Sequence, residues 1–466
     1  MLAVAACVAG GGYGVATEPL DRSPILGSEV ARRTEALLAA EAAAARARPV
    51  EAGPLRVGWA EASLTPPLGT PTAGYGARAG MGISAVADEV HARALAVAVG
   101  DGPPAVFLTA DVCLWLGELS GKVAARVAPV VPRERLYFGA THTHNGPGGF
   151  GRGPIARIAL GARDPAAVER IVAAAAAAVR GAVADLSPGA MRELSVAAPE
   201  FVENRVVAGD PVEDTLTLVE YRKEDGRRCA WVDYAAHATA INPLAMVCSG
   251  DYPGALCRRL VAGGYDAALF FAGETGQSGP AHQGATVHAT TVEPAWRMGE
   301  AIADRLLALA AEARAPFRPE ATLATFRSEV ALPPWRVRKL GRVLEPAFAT
   351  WLLGGMEPRA FVHAIRLGDT VYLGHSFEFS AVIGRRLAAR ARERGGRLLL
   401  TSFNGDHAFY VIPDAYYDLG RPEGSSTLFG PTLGSYLERV SEQVYDAVWA
   451  LRDAEREVAF DLGAQR

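Results

Sequence analysis

Nine histidines are spread over 466 residues, and two of them stand one residue apart in LYFGATHTHNGPGG, Leu136 to Gly149. Residues i and i+2 of a strand point to the same face. A strand running into this motif would therefore present His142 and His144 side by side. Two imidazoles so placed could bind one metal ion, or one could bind it while the other moves protons. The plainer alternative is a pair of polar residues capping a loop. The adjoining NGPGG favours a ligand, because glycine lets backbone approach a bound group with no Cβ in the way.

Other polar residues stand at the ends of other apolar runs. His237 closes AWVDYAAH, Glu378 sits in LGHSFEF, and Asp406, His407 and Tyr410 follow RLLLTSF. In open α/β sheets, ligand sites form beyond strand ends. Two His and one Glu brought from separate strands to one cleft would make a zinc site with an open, catalytic position. Taken singly, each is a satisfied polar residue. The other histidines lack such placement. His91 and His363 lie within strand-like runs, His282 and His288 in a loop without partner spacing, and His375 three residues before Glu378, where it points away. No GxSxG elbow or Walker loop is present. The GGGYG of residues 10–14 follows no strand of a βαβ unit.

The elements that must position these residues alternate along the chain. HARALAVAV and PAVFLTADV read as buried strands. DPAAVERIVAAAAAAVRGAVADL reads as a helix capped by Asp164, with Pro165 at its first position. RRCAWVDYAAHAT, AALFFAGETGQSGP and RLLLTSFNGDHAFYVIP are strands entering polar loops. DTVYLGHSFEFS feeds the helix AVIGRRLAARARER, which Gly395 and Gly396 stop. Further helices run from Glu293 to Arg314 and through SYLERVSEQVYDAVWALRDAERE. This alternation predicts an α/β fold of mixed, largely buried β-sheets flanked by helices.

Half the residues are apolar, so a large core is available, and the net charge of −4 argues against nucleic acid as a partner. The cysteines, Cys7, Cys113, Cys229, Cys248 and Cys257, form neither a disulfide framework nor a CxxC site. The opening MLAVAACVAGGGYGVA is apolar but shorter than the roughly 20 residues of a membrane span, and it lacks a positive n-region. It reads as the remnant of a signal or lipoprotein anchor, which implies the bacterial envelope or secretion. Residues 1–52 divide into this leader and a connecting helix ended by Pro49. Residues 53–466 show no repeat and no Ser/Gly linker, and read as one catalytic domain.

GATHTHNGPGG, ENR at 203–205, HATAIN…SGDYPG, SFEFSAVIGRRL and FYVIP…PEGSSTLFGP occur in the order seen in neutral ceramidases. The chain resembles these zinc amidases, which cleave the N-acyl bond of ceramide, over most of residues 55–440. The resemblance implies zinc held by His142, His237, Glu378 and Tyr410, with His144 as the catalytic histidine and Arg205 as an active-site arginine. It also implies that the family's C-terminal immunoglobulin-like domain is absent. Two positions depart from the pattern. The serine of the family's GDVSP loop falls on Gly279 of GQSGP, beside Ser278, and the tyrosine of its YEGAS motif falls on Pro422 of PEGSS.

The expected activity is zinc-dependent hydrolysis of an amide bond in an N-acyl lipid, ceramide or a related compound, by activated water, with association at a membrane surface. His144 would take and return the proton, and Arg205 would steady developing charge. Loss of one oxyanion donor costs about 10²–10³ in rate, so Pro422 implies a slower amidase or compensation by another group such as His407. The alternative is a metal-containing envelope protein that binds a lipid or glycan with little turnover. The two departures favour it, and the retained His144 and Arg205 oppose it.

Overall fold

The computed structural model describes residues 17–49, 51–281, 291–339 and 341–464. The apolar opening run with its GGGYG, and His282 and His288, lie outside the described residues.

The strand Glu51–Ser63 is the hub of a mixed twelve-stranded sheet. Its inward residues Leu55, Val57 and Trp59 are buried. Along most of its length it pairs antiparallel with His91–Val99, which leads to Ala105–Ala110 and then Leu136–Ala140. Its first residues also pair with Ser187–Ala197 on one side and Glu320–Ala331 on the other. One arm continues through Thr215–Lys223 and Arg228–Tyr234 to Ala267–Ala272. The other continues through Arg359–Leu367 and Thr370–His375 to Arg397–Thr401.

The branched sheet encloses a core of aromatic rings. Phe107 lies 4.9 Å from Tyr372 and 5.3 Å from Tyr137, and Trp231 stacks on Phe271 at 5.1 Å. Such pairs add about 0.5–1.5 kcal/mol each beyond the area they bury. The outer faces are covered by helices. Asp164 caps Pro165–Ala184 by accepting from Ala166 N at 2.9 Å. That helix lies so close to the hub strand that a Cβ on Gly58 would sit 2.3 Å from the Ala182 carbonyl oxygen. Its alanine run is the sequence solution to this close approach, since larger side chains would hold the layers apart. The helix Glu29–Arg46 buries Ala31, Leu38, Ala42 and Ala45 and docks through Thr34, whose Oγ1 accepts from Ala331 N and from the Tyr436 hydroxyl. It is therefore packed into a core with Phe326, Leu373 and Leu437 rather than merely joining a leader to a domain.

Three strand pairs in the sheet are parallel: 105–110 with 136–140, 228–234 with 267–272, and 370–375 with 397–401. Their carboxyl ends are tied to one another. Ser402 N donates to Ala272 O, Ser402 Oγ to Gly273 O, and Asn404 Nδ2 to Phe138 O. The loops carrying His142, His237, Glu378 and His407 all leave from this knot of strand ends. Among the described residues no helix is long and apolar enough to cross a membrane.

Candidate metal centre

His142 and His144 do not lie on a strand. The strand ends at Ala140, and His142 takes a left-handed conformation, φ 61°. The period-two argument for their shared direction therefore fails. A turn brings the rings together instead, with Nε2 atoms 3.2 Å apart and ring planes nearly perpendicular. Five non-glycine residues among those described have positive φ: Ala79, His142, Asp251, Phe403 and Phe409. Each costs about 1–3 kcal/mol and persists only where surrounding structure imposes it. Phe403 stacks on His142 at 4.1 Å, and the Phe409 carbonyl accepts from Glu378 N, so this strain is spent on the cluster.

His237 meets His142 with Nε2 atoms 2.7 Å apart, and Glu378 Oε2 lies 3.7 Å from each of those nitrogens. All three residues are buried, and their ligand atoms lie within 4.8 Å of one another. The far nitrogen of each ring fixes its tautomer. His142 Nδ1 is 2.5 Å from Cys113 O, and His237 Nδ1 is 3.3 Å from Thr275 O. A carbonyl oxygen only accepts, so Nδ1 carries the hydrogen and Nε2 presents a lone pair. Burial pushes both rings well below the ordinary histidine range, so they are neutral. Burial raises Glu378 to about 7. A proton on that carboxyl could not satisfy the nitrogens, because 3.7 Å is beyond hydrogen-bond range. Glu378 Oε2 has no hydrogen-bond partner. Two lone pairs and an orphan carboxylate oxygen, facing one another in a buried space, fit a divalent cation, and this donor set suits zinc.

Cys113, His142 and His144 form a second grouping. There Cys113 Sγ lies 3.7 Å from His142 Nδ1, the nitrogen already engaged by a carbonyl. Burial raises the thiol well above its ordinary range, so the neutral S–H is kept. Cys113, Cys229, Cys248 and Cys257 are all free and buried.

The remaining site residues stand around this centre. Tyr410 is set beside Glu378 by a short parallel pairing of Glu378–Phe379 with Tyr410–Val411, and its hydroxyl accepts from Arg205 Nη2 at 3.2 Å. Arg205 is clamped on its other side by Glu423, Nε to Oε1 2.7 Å. Burial works against its charge, but Tyr410 and Glu423 outweigh it and the guanidinium stays ionised. His144 is half-buried against the edge of Tyr75, ring centroids 4.6 Å apart. Its Nδ1 has no partner, and burial lowers its pKa to about 3, so the ring is neutral. His407 Nε2 approaches Glu378 Oε1 at 3.9 Å, with its Nδ1 unpartnered. Gly279 lies under Arg205; a Cβ there would meet Arg205 Cδ at 3.5 Å, an ordinary contact. Ser278 Oγ beside it is buried without a partner. Pro422 begins the short helix that carries Glu423.

Other polar residues are structural. Asp406 Oδ1 accepts from Gly117 N and His407 N. His363 Nε2 contacts Glu134 O, His375 Nε2 contacts Ser441 Oγ, and His91 pairs loosely with Glu89. Sequence reasoning missed Cys113, Tyr75, Phe403 and Glu423. Cys113 stands just past a strand end, where the rule used for His237 would have found it. Glu423 and Phe403 lie inside stretches already singled out, PEGSS and RLLLTSF, but nothing local marked them as partners of Arg205 and His142.

No protein-family model matches the chain. Over 84 residues it is 32% identical to Neutral ceramidase B of Dictyostelium discoideum, a match spanning 16% of this chain and 12% of that protein. In three dimensions it is similar to the neutral ceramidase from Pseudomonas aeruginosa, with TM-score 0.76 and 19% identity over 86% of this chain and 75% of that one. A ceramidase complexed with C2 gives TM-score 0.74 and 19% identity over 86% and 76%. At that identity the likeness is one of architecture, and it agrees with the order of the motifs: the chain has the neutral ceramidase fold.

Proposed function

We propose that the chain is a zinc-dependent amidohydrolase acting on an N-acyl lipid, ceramide or a related N-acyl compound. The observation that carries this reading is the pair of neutral imidazole lone pairs facing the partnerless Glu378 oxygen, with a third imidazole, His144, beside them. His142, His237 and Glu378 would hold the ion, with Tyr410 as fourth ligand. A zinc ion there would supply Lewis acidity and an acidified water.

The chain's own groups supply the rest. His144 stands with its Nε2 3.2 Å from His142 Nε2, which places that nitrogen beside the ion's position to take a proton from an acidified water and return it to the departing amine. Arg205, fixed between Glu423 and Tyr410, is a preorganised cation for charge developing on the acyl oxygen. The apolar opening run supports an envelope or secreted location, which cell fractionation checks. Gly279 and Pro422 favour a second reading, in which the centre holds metal and ligand without turnover. Fluorogenic N-acyl substrates, assayed with and without chelator alongside metal analysis, separate the two. Chelator-sensitive release of the acyl group supports the hydrolase; bound zinc without turnover supports the second reading.

A further inference from the structure

We propose that the cavity lined by the helix Ala381–Glu393 and the strands Thr215–Lys223, Arg228–Tyr234 and Arg397–Thr401 is a second ligand site, built for a small aliphatic amine with two ammonium groups. It shares no residue with the metal centre, and nothing in it depends on the amidase reading.

The cavity has a volume of about 410 Å³, and its floor is acidic. Asp233 and Glu274 are each 5% exposed, and neither has an ion-pair partner among the described residues. Asp233 Oδ1 is buried with no hydrogen-bond partner. Burying a carboxyl in this way is costly, and it is the kind of orphaned group that a ligand relieves. The nearby arginines are engaged elsewhere. Arg397 pairs through Nε with Glu193, and its Nη2 donates to Thr217 Oγ1 at 3.2 Å. Arg385 Nη1 donates to Val212 O at 2.8 Å. Two glycines make room around the acids. A Cβ on Gly384 would collide with Glu274 Oε1, and one on Gly273 would lie 3.0 Å from Asp233 Oδ1.

The spacing of the carboxyls selects the occupant. Glu213 also lines the cavity; its Oε1 accepts from Thr215 N at 2.9 Å, which leaves the other oxygen for a ligand. The oxygens of these three residues are not gathered within 4.8 Å of one another, as the ligand atoms of the histidine centre are. A divalent ion holds its oxygens at about 2.3–2.6 Å, so one ion does not reach all three. Two ammonium groups on one molecule do. The wall beside the acids is apolar, formed by Ala388, Leu398 and Leu400, and it suits the methylenes that join those groups. Burial and then Glu213 push Asp233 and Glu274 well above the usual carboxylate range. Each therefore holds a proton that an ammonium N–H can replace, the proton passing to solvent.

The test is isothermal titration of the purified full chain with putrescine, a linear aliphatic diamine. Butylamine, the same chain with one ammonium group, and calcium chloride serve as comparators. The titration is run at about pH 8, where aliphatic amines are still protonated. Putrescine is expected to bind in equimolar ratio, about tenfold or more tightly than butylamine. Asp233→Asn and Glu274→Gln should each weaken putrescine about tenfold or more, the loss of one charge-assisted hydrogen bond. Metal content should hold in both variants and the melting temperature should not fall, so that lost binding is not lost folding. Binding of calcium without putrescine overturns the proposal and makes the floor an ion site. Binding of neither, butylamine as tight as putrescine, or full putrescine affinity in both variants overturns it as well.

Discussion

Two clusters of buried titratable groups hang from the same pair of parallel strands, 228–234 and 267–272. Beyond the strand ends lie His237, which faces His142 and Glu378, and Thr275, whose carbonyl holds the far nitrogen of His237. Asp233 and Glu274 lie one turn of chain away and, with Glu213, line a cavity of about 410 Å³ rimmed by Arg392 and Arg397. Both clusters bring together groups that dislike burial. They differ in what can relieve them. Burial and then Glu213 push Asp233 and Glu274 well above the usual carboxylate range, so they resolve the conflict by keeping protons. His142 and His237 have their hydrogens committed to carbonyls and stand too far from Glu378 to share one. Their Nε2 atoms, 2.7 Å apart, could share a proton, but burial disfavours the charged ring that this would require, and a cation bound also by Glu378 relieves both lone pairs and the carboxylate together. The density of titratable groups is thus a poor guide to a metal centre, and the direction of lone pairs is a better one.

The sharpest way to break this contrast is His237→Ala. The variant should lose about one equivalent of zinc by elemental analysis, with activity falling beyond the roughly 10–100-fold that loss of a ligand's outer partner costs. Full retention of metal would place the ligands elsewhere. His144→Gln comes next: turnover should drop about 10²–10⁴-fold while the zinc content holds. Loss of metal in this variant would make His144 a ligand rather than a proton carrier.

Chelation should then distinguish the clusters by stability. Wild type should lose up to about 2.7 kcal/mol where free zinc had been at a hundredfold excess over its Kd, seen as a lower melting temperature. His237→Ala should show no such drop, and Asp233→Asn should show it in full. A chelator-sensitive melting temperature that Asp233→Asn abolishes would reverse the assignment.

The smallest effect concerns the acidic cluster itself. Its carboxyls have folded pKa values above their unfolded ones, so the folded chain holds protons that the unfolded chain releases. Their contribution is fully favourable below the unfolded carboxylate range of about 4 and is lost as pH rises toward the folded values. Asp233→Asn should therefore raise the melting temperature by roughly 1–3 °C at about pH 8 and leave it nearly unchanged near pH 4. An equal gain at both would show that Asp233 is ionised in the folded protein.

Local chemistry was legible in the sequence. His91–Val99, Ala105–Ala110 and Arg397–Thr401 are strands where their apolar runs place them, and Asp164 caps its helix by accepting from a backbone N–H group. The motif around His142 and His144 marked a loop that does join the cluster, but a left-handed turn rather than a strand aims the rings. Helix Glu29–Arg46 was visible as a helix, but its apolar face toward Glu320–Ala331 was not, because alanine-rich periodicity does not name a partner.

Composition and spacing alone determined an alternating α/β chain with polar residues stationed at strand ends. Tertiary structure decided that four of those ends meet. Ser402 and Asn404 lace strands that are more than a hundred residues apart in sequence. The carbonyls of Cys113 and Thr275 choose which nitrogen of each histidine faces the cluster, and Glu423 fixes the arginine more than two hundred positions before it. Each of these depends on contacts between distant segments, and a local pattern carries no record of which distant atom will arrive.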